Sequence, residues 1–210
     1  LSALCVQKPR LAFQRAKLAF EAELAGSGLT YSIVRPTAFF KSLSGQIERV
    51  RAGKPYLAFG DGTATACKPI SDRDLARYLV SCLEDPTLHN KLLPIGGPGP
   101  ALTPRDQADL LSAALGRPVK IRSVPPALLS GIAGGLGLAR RVFPFWHGLA
   151  LKAELARIGH YYATESMLVW DGQAYRAEAT PEYGSDTLAE HYAHAAAGLV
   201  ADARGAHAVF

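Results

Sequence analysis

The sequence predicts an α/β fold, and three observations lead to it. A stretch with helical spacing ends at two glycines and runs into a short segment of β-branched and aromatic residues, Leu29 to Val34. Capped helical stretches then alternate with further short apolar runs. The composition, 49% hydrophobic and 20% charged over 210 residues, suits a globular chain with one substantial core or two small ones, and makes wholesale disorder or fibrous repetition a poor fit.

The first helix is expected over about 9–24. Phe13, Phe20 and Leu24 recur at helical spacing, Pro9 suits a first turn, and Gly26 and Gly28 close it. Leu29 to Val34 follows as a strand stopped by Pro36. A basic-faced helix is expected over 38–52, then a strand from Tyr56 to Phe59 meeting the turn signal Gly60, Asp61, Gly62. Ser71 is placed to cap a helix carrying Leu75, Tyr78, Leu79 and Leu83, with Pro86 beyond its end. Lys91 to Ile95 reads as a strand. Thr103 and Pro104 open a helix that Gly116 closes, and Val119 to Val124 reads as a further strand. From Pro125 onward the pattern is mostly helical, ending in an amphipathic helix from about Asp186 to Ala203.

The net charge of +5 is unevenly spread: residues 1–55 hold nine Lys or Arg against three acidic residues, whereas residues 178–210 hold five acidic residues against Arg204. A basic first quarter suits either a solvated helix surface or an anionic small molecule. Nothing marks a nucleic-acid partner. Cys5, Cys67 and Cys82 cannot all pair within one chain and show no metal-ligand spacing, so a reducing compartment and no metal site are expected. The apolar stretch from Val124 to Ala139 is broken by two prolines and four glycines, too interrupted to span a bilayer. The chain starts at Leu1 and its one methionine is Met167, which reads as a piece of a longer protein.

No strand runs into a Gly-x-Gly-x-x-Gly turn that opens a helix, the arrangement that places pyrophosphate on helix N–H groups. Gly96, Gly97 and Gly99 are interrupted by prolines and read as a loop. Lys17 shares a helical face with Phe13, Phe20 and Leu24. Its stem either lies along apolar surface with the ammonium in water, or the ammonium meets a bound hydroxyl or phosphate. Arg35 suits a phosphate or an ion pair across a sheet edge. His160 suits packing, a proton relay or a substrate carboxylate.

Phe13 to Lys17 resembles the Tyr-x-x-x-Lys segment of the short-chain dehydrogenase/reductases, with phenylalanine at the tyrosine position. Tyr31 to Phe40, containing Arg35 and Pro36, is similar to the strand and Arg-Pro segment of the extended and atypical members. Lys68 to Asp74, Leu93 to Gly99, Leu102 to Pro104, Tyr161 to Met167 and Ala177 to Pro181 extend the resemblance, within the atypical NmrA-like group, to about residues 8–200. This resemblance implies the C-terminal part of an NAD(P)-binding Rossmann-like fold plus a mostly helical substrate-binding portion. The Gly-rich turn would lie upstream of Leu1, leaving this chain alone inactive. The division implied is 1–100 for the cofactor domain and 101–210 for the substrate portion.

The resemblance further implies NADPH as cofactor, with Lys17 on the nicotinamide ribose and Arg35, Pro36, Thr37 and Phe39 bordering the nicotinamide. The implied reaction is reduction of a conjugated vinyl group on a small-molecule tetrapyrrole of chlorophyll synthesis. It would occur in a chloroplast, or in the cytoplasm of a bacterium, with peripheral association with photosynthetic membranes. Phe13 has no proton to give, which disfavours ordinary carbonyl reduction. Tyr161 and Tyr162 are the expected catalytic phenols supplying the proton. Val142, Phe143, Phe145, Trp146, Leu149 and Leu151 suit either a wall for a planar substrate or core packing, and His147 or His160 an axial contact to its magnesium. A quinone or other conjugated substrate, or a non-catalytic dinucleotide sensor, shares the lysine and the fold.

Overall fold

The computed structural model describes residues 1–142 and 147–199. A 3-10 turn, Leu4–Gln7, precedes α1 (Ala12–Gly26), β1 (Ser32–Pro36), α2 (Phe40–Leu43), α3 (Ile47–Arg51) and β2 (Tyr56–Phe59). Then come α4 (Asp72–Glu84), β3 (Lys91–Ile95), α5 (Pro104–Leu115) and β4 (Ile121–Val124). The chain continues through α6 (Pro126–Val142), α7 (His147–Thr164), the two-residue strands β5 (Val169–Trp170) and β6 (Tyr175–Arg176), and α8 (Leu188–Ala196).

Two parallel strand pairs form the α/β frame. β1 pairs with β3 from Ser32–Lys91 to Pro36–Ile95, and β2 with β4 from Tyr56–Ile121 to Phe59–Val124. Parallel pairs need long crossovers, and α4 and α5 lie within them. β5 and β6 form a small antiparallel ladder. The core around Phe40, Tyr56, Leu111 and Tyr192 mixes residues from both sides of position 100, and β4 pairs with β2, so the two portions share packing. None of the described helices is long and apolar enough to cross a membrane.

Where local chemistry is complete, sequence and structure agree. The Thr103 hydroxyl accepts from the Asp106 amide, the Asp106 carboxylate accepts from the Thr103 amide, and Gly116 ends α5 in the left-handed conformation. Ser71 caps α4 by accepting from the Asp74 amide at 2.9 Å. Asp74, fully buried, accepts in turn from the amides of Ser185 and Asp186 at 3.0 and 2.8 Å. That docks the segment before α8 onto the first turn of α4.

Four expectations need correction. The first strand begins at Ser32 and includes Pro36: Leu29 is exposed, and the chain stays extended through the proline because the next amide, Thr37, donates to the Ile95 carbonyl at 2.9 Å. The helix expected over 38–52 is divided by a 3-10 turn at Ser44–Gln46, where the Ser44 hydroxyl bonds back to the Phe40 carbonyl. The apolar stripe of α1 is not its core face. Phe20 is 68% exposed, whereas Gln14 and Glu21 are buried because each has a built partner there. Finally, α8 ends at Ala196, and positions 200–203 of the expected helix lie outside the described residues.

Candidate active site

The site is built where α1 returns against β1. Arg35 and Glu21 form a two-point ion pair, with Arg35 Nε 3.0 Å from Glu21 Oε1 and Nη2 on Oε2. Burial pushes the Glu21 carboxyl up, but the bonded guanidinium and the charges of Arg35 and Lys17 outweigh it and hold the group below the usual carboxylate range. This pair fixes the register of helix on strand. Lys17 lies one turn before Glu21 on α1, and its charge acts on Glu21, the partner of Arg35, and on Cys5 of the 3-10 turn.

Lys17 is half-buried and makes no ion pair among the described residues. Burial pushes the Cys5 thiol up, and the Lys17 charge opposes that shift in small part while helping to hold Glu21 low. Phe13, one turn earlier, packs against the cluster of Cys5, Leu11, Cys67, Tyr161 and Met167. The tyrosine position of the Tyr-x-x-x-Lys pattern thus holds a ring with no hydroxyl, half-buried against apolar neighbours.

Gln14 locks the start of α1, a role missed in the sequence. Its Oε1 accepts from the amides of Arg10 and Leu11 at 2.8 Å, and its Nε2 donates to the Cys5 carbonyl at 2.9 Å. A glutamine three positions into a helix is the available signal. The Tyr161 hydroxyl donates to that same Cys5 carbonyl at 2.8 Å and is 3% exposed. Burial, and to a lesser degree Cys5, push its phenol up to about 12. Tyr161 is therefore occupied in holding the 3-10 turn. Tyr162 packs edge-on against Tyr161, is 41% exposed, and has its phenol raised by burial and by Cys5.

The other expected positions divide. Arg35 is committed to Glu21. Pro36 and Thr37 are buried, with the Thr37 hydroxyl bonded to the Lys68 carbonyl, and Phe39 packs against the cluster of Val34, Ile70 and Ile95. Their side chains shape the strand end, and the Thr37 amide is taken by the Ile95 carbonyl. Phe143, Phe145 and Trp146 lie outside the described residues, as do the side chains of Val142, His147 and Leu149. Leu151 is 64% exposed.

The N-terminal segment is tied across the chain to the end of α7. Glu165, 6% exposed, takes Lys8 at 2.8 Å, Arg10 at 2.7 Å and the Tyr175 hydroxyl at 2.5 Å. Burial raises the Glu165 carboxyl, but Lys8, Tyr175 and Arg10 outweigh it and hold it low. Lys8 also sits 3.8 Å over the Trp170 ring. A cavity of about 320 Å³ opens beside this network, lined by Arg10, Leu11, Ala133, Arg157, His160 and Tyr161 among others.

These residues fit one end of a nicotinamide dinucleotide. A half-buried ammonium with no ion partner among the described residues has donors to offer ribose hydroxyls. Among the described residues no strand enters a Gly-rich turn opening a helix, so the fit concerns the nicotinamide-ribose end alone.

Solved structures with a similar fold include NADPH-dependent reductases. The NADPH-dependent quinone oxidoreductase of Escherichia coli, complexed with NADPH, matches with a TM-score of 0.63 and 18% identity, over 92% of this chain and 63% of that one. The leucoanthocyanidin reductase of Vitis vinifera matches with a TM-score of 0.57 and 15% identity, over 90% of this chain and 62% of that one. At such identities the likeness establishes the fold alone: a mixed α/β chain with parallel strand pairs, Rossmann-like in kind.

No family model matches the chain. Sequence relatives narrow the class. The chloroplastic divinyl chlorophyllide a 8-vinyl-reductase of Arabidopsis thaliana is 51% identical over 201 residues, 92% of this chain and 48% of that protein. Its counterpart from Oryza sativa subsp. indica is 52% identical over 199 residues, 91% of this chain and 48% of that protein. The chain belongs to the divinyl chlorophyllide a 8-vinyl-reductase family and spans about half the length of the curated relatives it matches.

Proposed function

We propose that the protein containing this chain reduces the 8-vinyl group of divinyl chlorophyllide a to ethyl, using NADPH, in a chloroplast. One observation carries the reading beyond sequence likeness: a half-buried Lys17, with no ion pair among the described residues, sits one turn from the Glu21 that holds Arg35 of β1, while the neighbouring tyrosine position is Phe13. A site that retains the cofactor-facing lysine and lacks the carbonyl-protonating phenol suits reduction of a conjugated carbon–carbon double bond.

Converting a vinyl to an ethyl group adds a hydride to one carbon and a proton to the other. Bound NADPH supplies the hydride. Lys17 holds the nicotinamide ribose, and the backbone of Pro36, Thr37 and Phe39 borders the nicotinamide. Arg35 acts through Glu21, fixing α1 on β1 and so aiming Lys17. The macrocycle of the substrate delocalises the charge that hydride addition creates. Tyr162 donates the proton: its side chain is 41% exposed, whereas the Tyr161 hydroxyl is buried and held by the Cys5 carbonyl. Residues 1–100 serve the cofactor and 101–210 the substrate, as a division of labour over shared packing. The pigment substrate brings the protein to the surface of photosynthetic membranes.

The test follows NADPH oxidation by the complete protein with divinyl chlorophyllide a and, in parallel, with a simple benzoquinone. Oxidation with the tetrapyrrole alone is expected; oxidation with the quinone alone selects the rival reading, a quinone reductase of the same fold. In that assay Tyr162→Phe is expected to lower kcat roughly a hundredfold with KM little changed. Unchanged turnover would remove Tyr162 as the donor.

A further inference from the structure

The cavity between the start of α1 and the pair α6 and α7 has a chemistry that the reduction step does not use. Its floor is apolar, from Leu11, Ala133 and the ring of Tyr161, and its polar lining includes Arg10, Arg157 and His160. Arg10 is shared with Glu165, which Lys8 already matches, and Arg157 leans on Glu154 at 3.3 Å. Lys8, Arg10 and Arg157 thus stand against Glu154 and Glu165, a surplus of one positive charge before His160 is counted. Both arginine side chains remain more than half exposed, at 59% and 55%, so their guanidinium donors are open to a ligand. At about 320 Å³ the space holds an arm and a ring edge, and is too small for a whole macrocycle.

We infer that this cavity receives the carboxylate of the substrate's propionate arm, with Arg10 and Arg157 bracketing it and His160 as a third donor. The inference rests on the reading that the ligand is a tetrapyrrole of the chlorophyllide type, which carries one free propionic acid. An apolar floor with a guanidinium pair at its rim matches an apolar ring edge ending in an anion, since Arg presents a planar fork of donors to a carboxylate. The cavity shares Leu11 and Tyr161 with the cluster on which Phe13 packs, so a carboxylate held there sets the position of the ring relative to the Lys17 side of α1. Arg157 is the specificity-determining residue in this arrangement. It selects the free acid over an esterified pigment, because an ester offers no charge for the guanidinium to pair.

The experiment titrates the complete protein with chlorophyllide a and with its methyl ester, following pigment absorbance. The free acid is expected to bind roughly tenfold more tightly than the ester in the unaltered protein, with the ratio falling to about one in Arg157→Gln and recovering in part in Arg157→Lys. Ester affinity is expected to be unchanged by Arg157→Gln, which a general loss of structure would not allow. An equal preference for the acid in the unaltered protein and in Arg157→Gln would overturn the subsite, as would failure of both pigments to bind. The two readings separate cleanly. A protein that reduces acid and ester equally well loses the subsite and keeps the reductase activity, whereas Arg157-dependent acid binding without vinyl reduction keeps the subsite and removes the activity.

Discussion

Replacing Gly97 with alanine is expected to cost about 3–4 kcal/mol of folding stability. A Cβ at this position would stand 1.9 Å from the Pro69 carbonyl oxygen and 2.9 Å from its carbon, both backbone atoms that no rotamer change can move aside. Gly97 is held from both directions. Its amide donates to the Lys68 carbonyl at 3.1 Å, while its neighbour Gly96 donates to the Pro181 carbonyl at 2.8 Å and accepts from the Tyr183 amide at 3.0 Å. Lys68 in turn is buried in an ion pair with Glu182. Gly96 and Gly97 therefore serve close packing of three chain segments, and the loop resembles a phosphate-binding turn in composition alone. Gly135→Ala, in α6 with open space around its Cβ, provides the control and is expected to be neutral or slightly stabilising. Urea unfolding of the complete protein measures both. A loss below about 1 kcal/mol for Gly97→Ala would contradict the threading of this loop.

Lys17→Met is expected to lower kcat/KM for NADPH roughly a hundredfold while leaving the unfolding midpoint unchanged. Methionine keeps the unbranched stem, and Lys17 has no ion pair to lose among the described residues. Only the ammonium's hydrogen bonds to a bound ribose would disappear, and two charge-assisted bonds account for an effect of this size. Glu21→Gln tests the same geometry at a distance. Losing the charge partner of Arg35 would both destabilise the fold and loosen the register that aims Lys17, so stability and catalysis should fall together there and separate in Lys17→Met. An unchanged NADPH dependence in Lys17→Met would remove the lysine from the cofactor site.

Elements whose signals are complete within a few residues were legible in the sequence. β3 occupies Lys91–Ile95 as expected, and α5 runs from its Thr103 cap to Gly116, because cap, first-turn proline and terminal glycine are neighbours in the chain. The buried face of α1 was not legible. Apolar spacing favours Phe13, Phe20 and Leu24, yet the helix turns Gln14 and Glu21 inward because their partners, the Cys5 carbonyl and Arg35, are supplied by other segments. Pairing across long separations was equally hidden. Nothing near Tyr161 in sequence announces that its hydroxyl is taken by a carbonyl 156 residues earlier, or that Lys8 and Arg10 meet Glu165.

The candidate site divides in the same way. Lys17 and Phe13 stood out by a short local pattern, and their resemblance to a known family gave the pattern a chemistry. Arg10 and Arg157 look like ordinary surface charges in the sequence. They become candidates only when α6 and α7 pack beside the start of α1 and a cavity appears between them.

The most direct measurement uses NADPH carrying deuterium at both nicotinamide C4 positions. The complete protein is incubated with this cofactor and divinyl chlorophyllide a, and the pigment is separated by chromatography and weighed by mass spectrometry. A monovinyl product bearing one deuterium in its new ethyl group is expected, with its formation sharply reduced in Lys17→Met. Absence of that product from protein that demonstrably binds NADPH, or a monovinyl product without deuterium, would contradict hydride delivery to the vinyl group at this site.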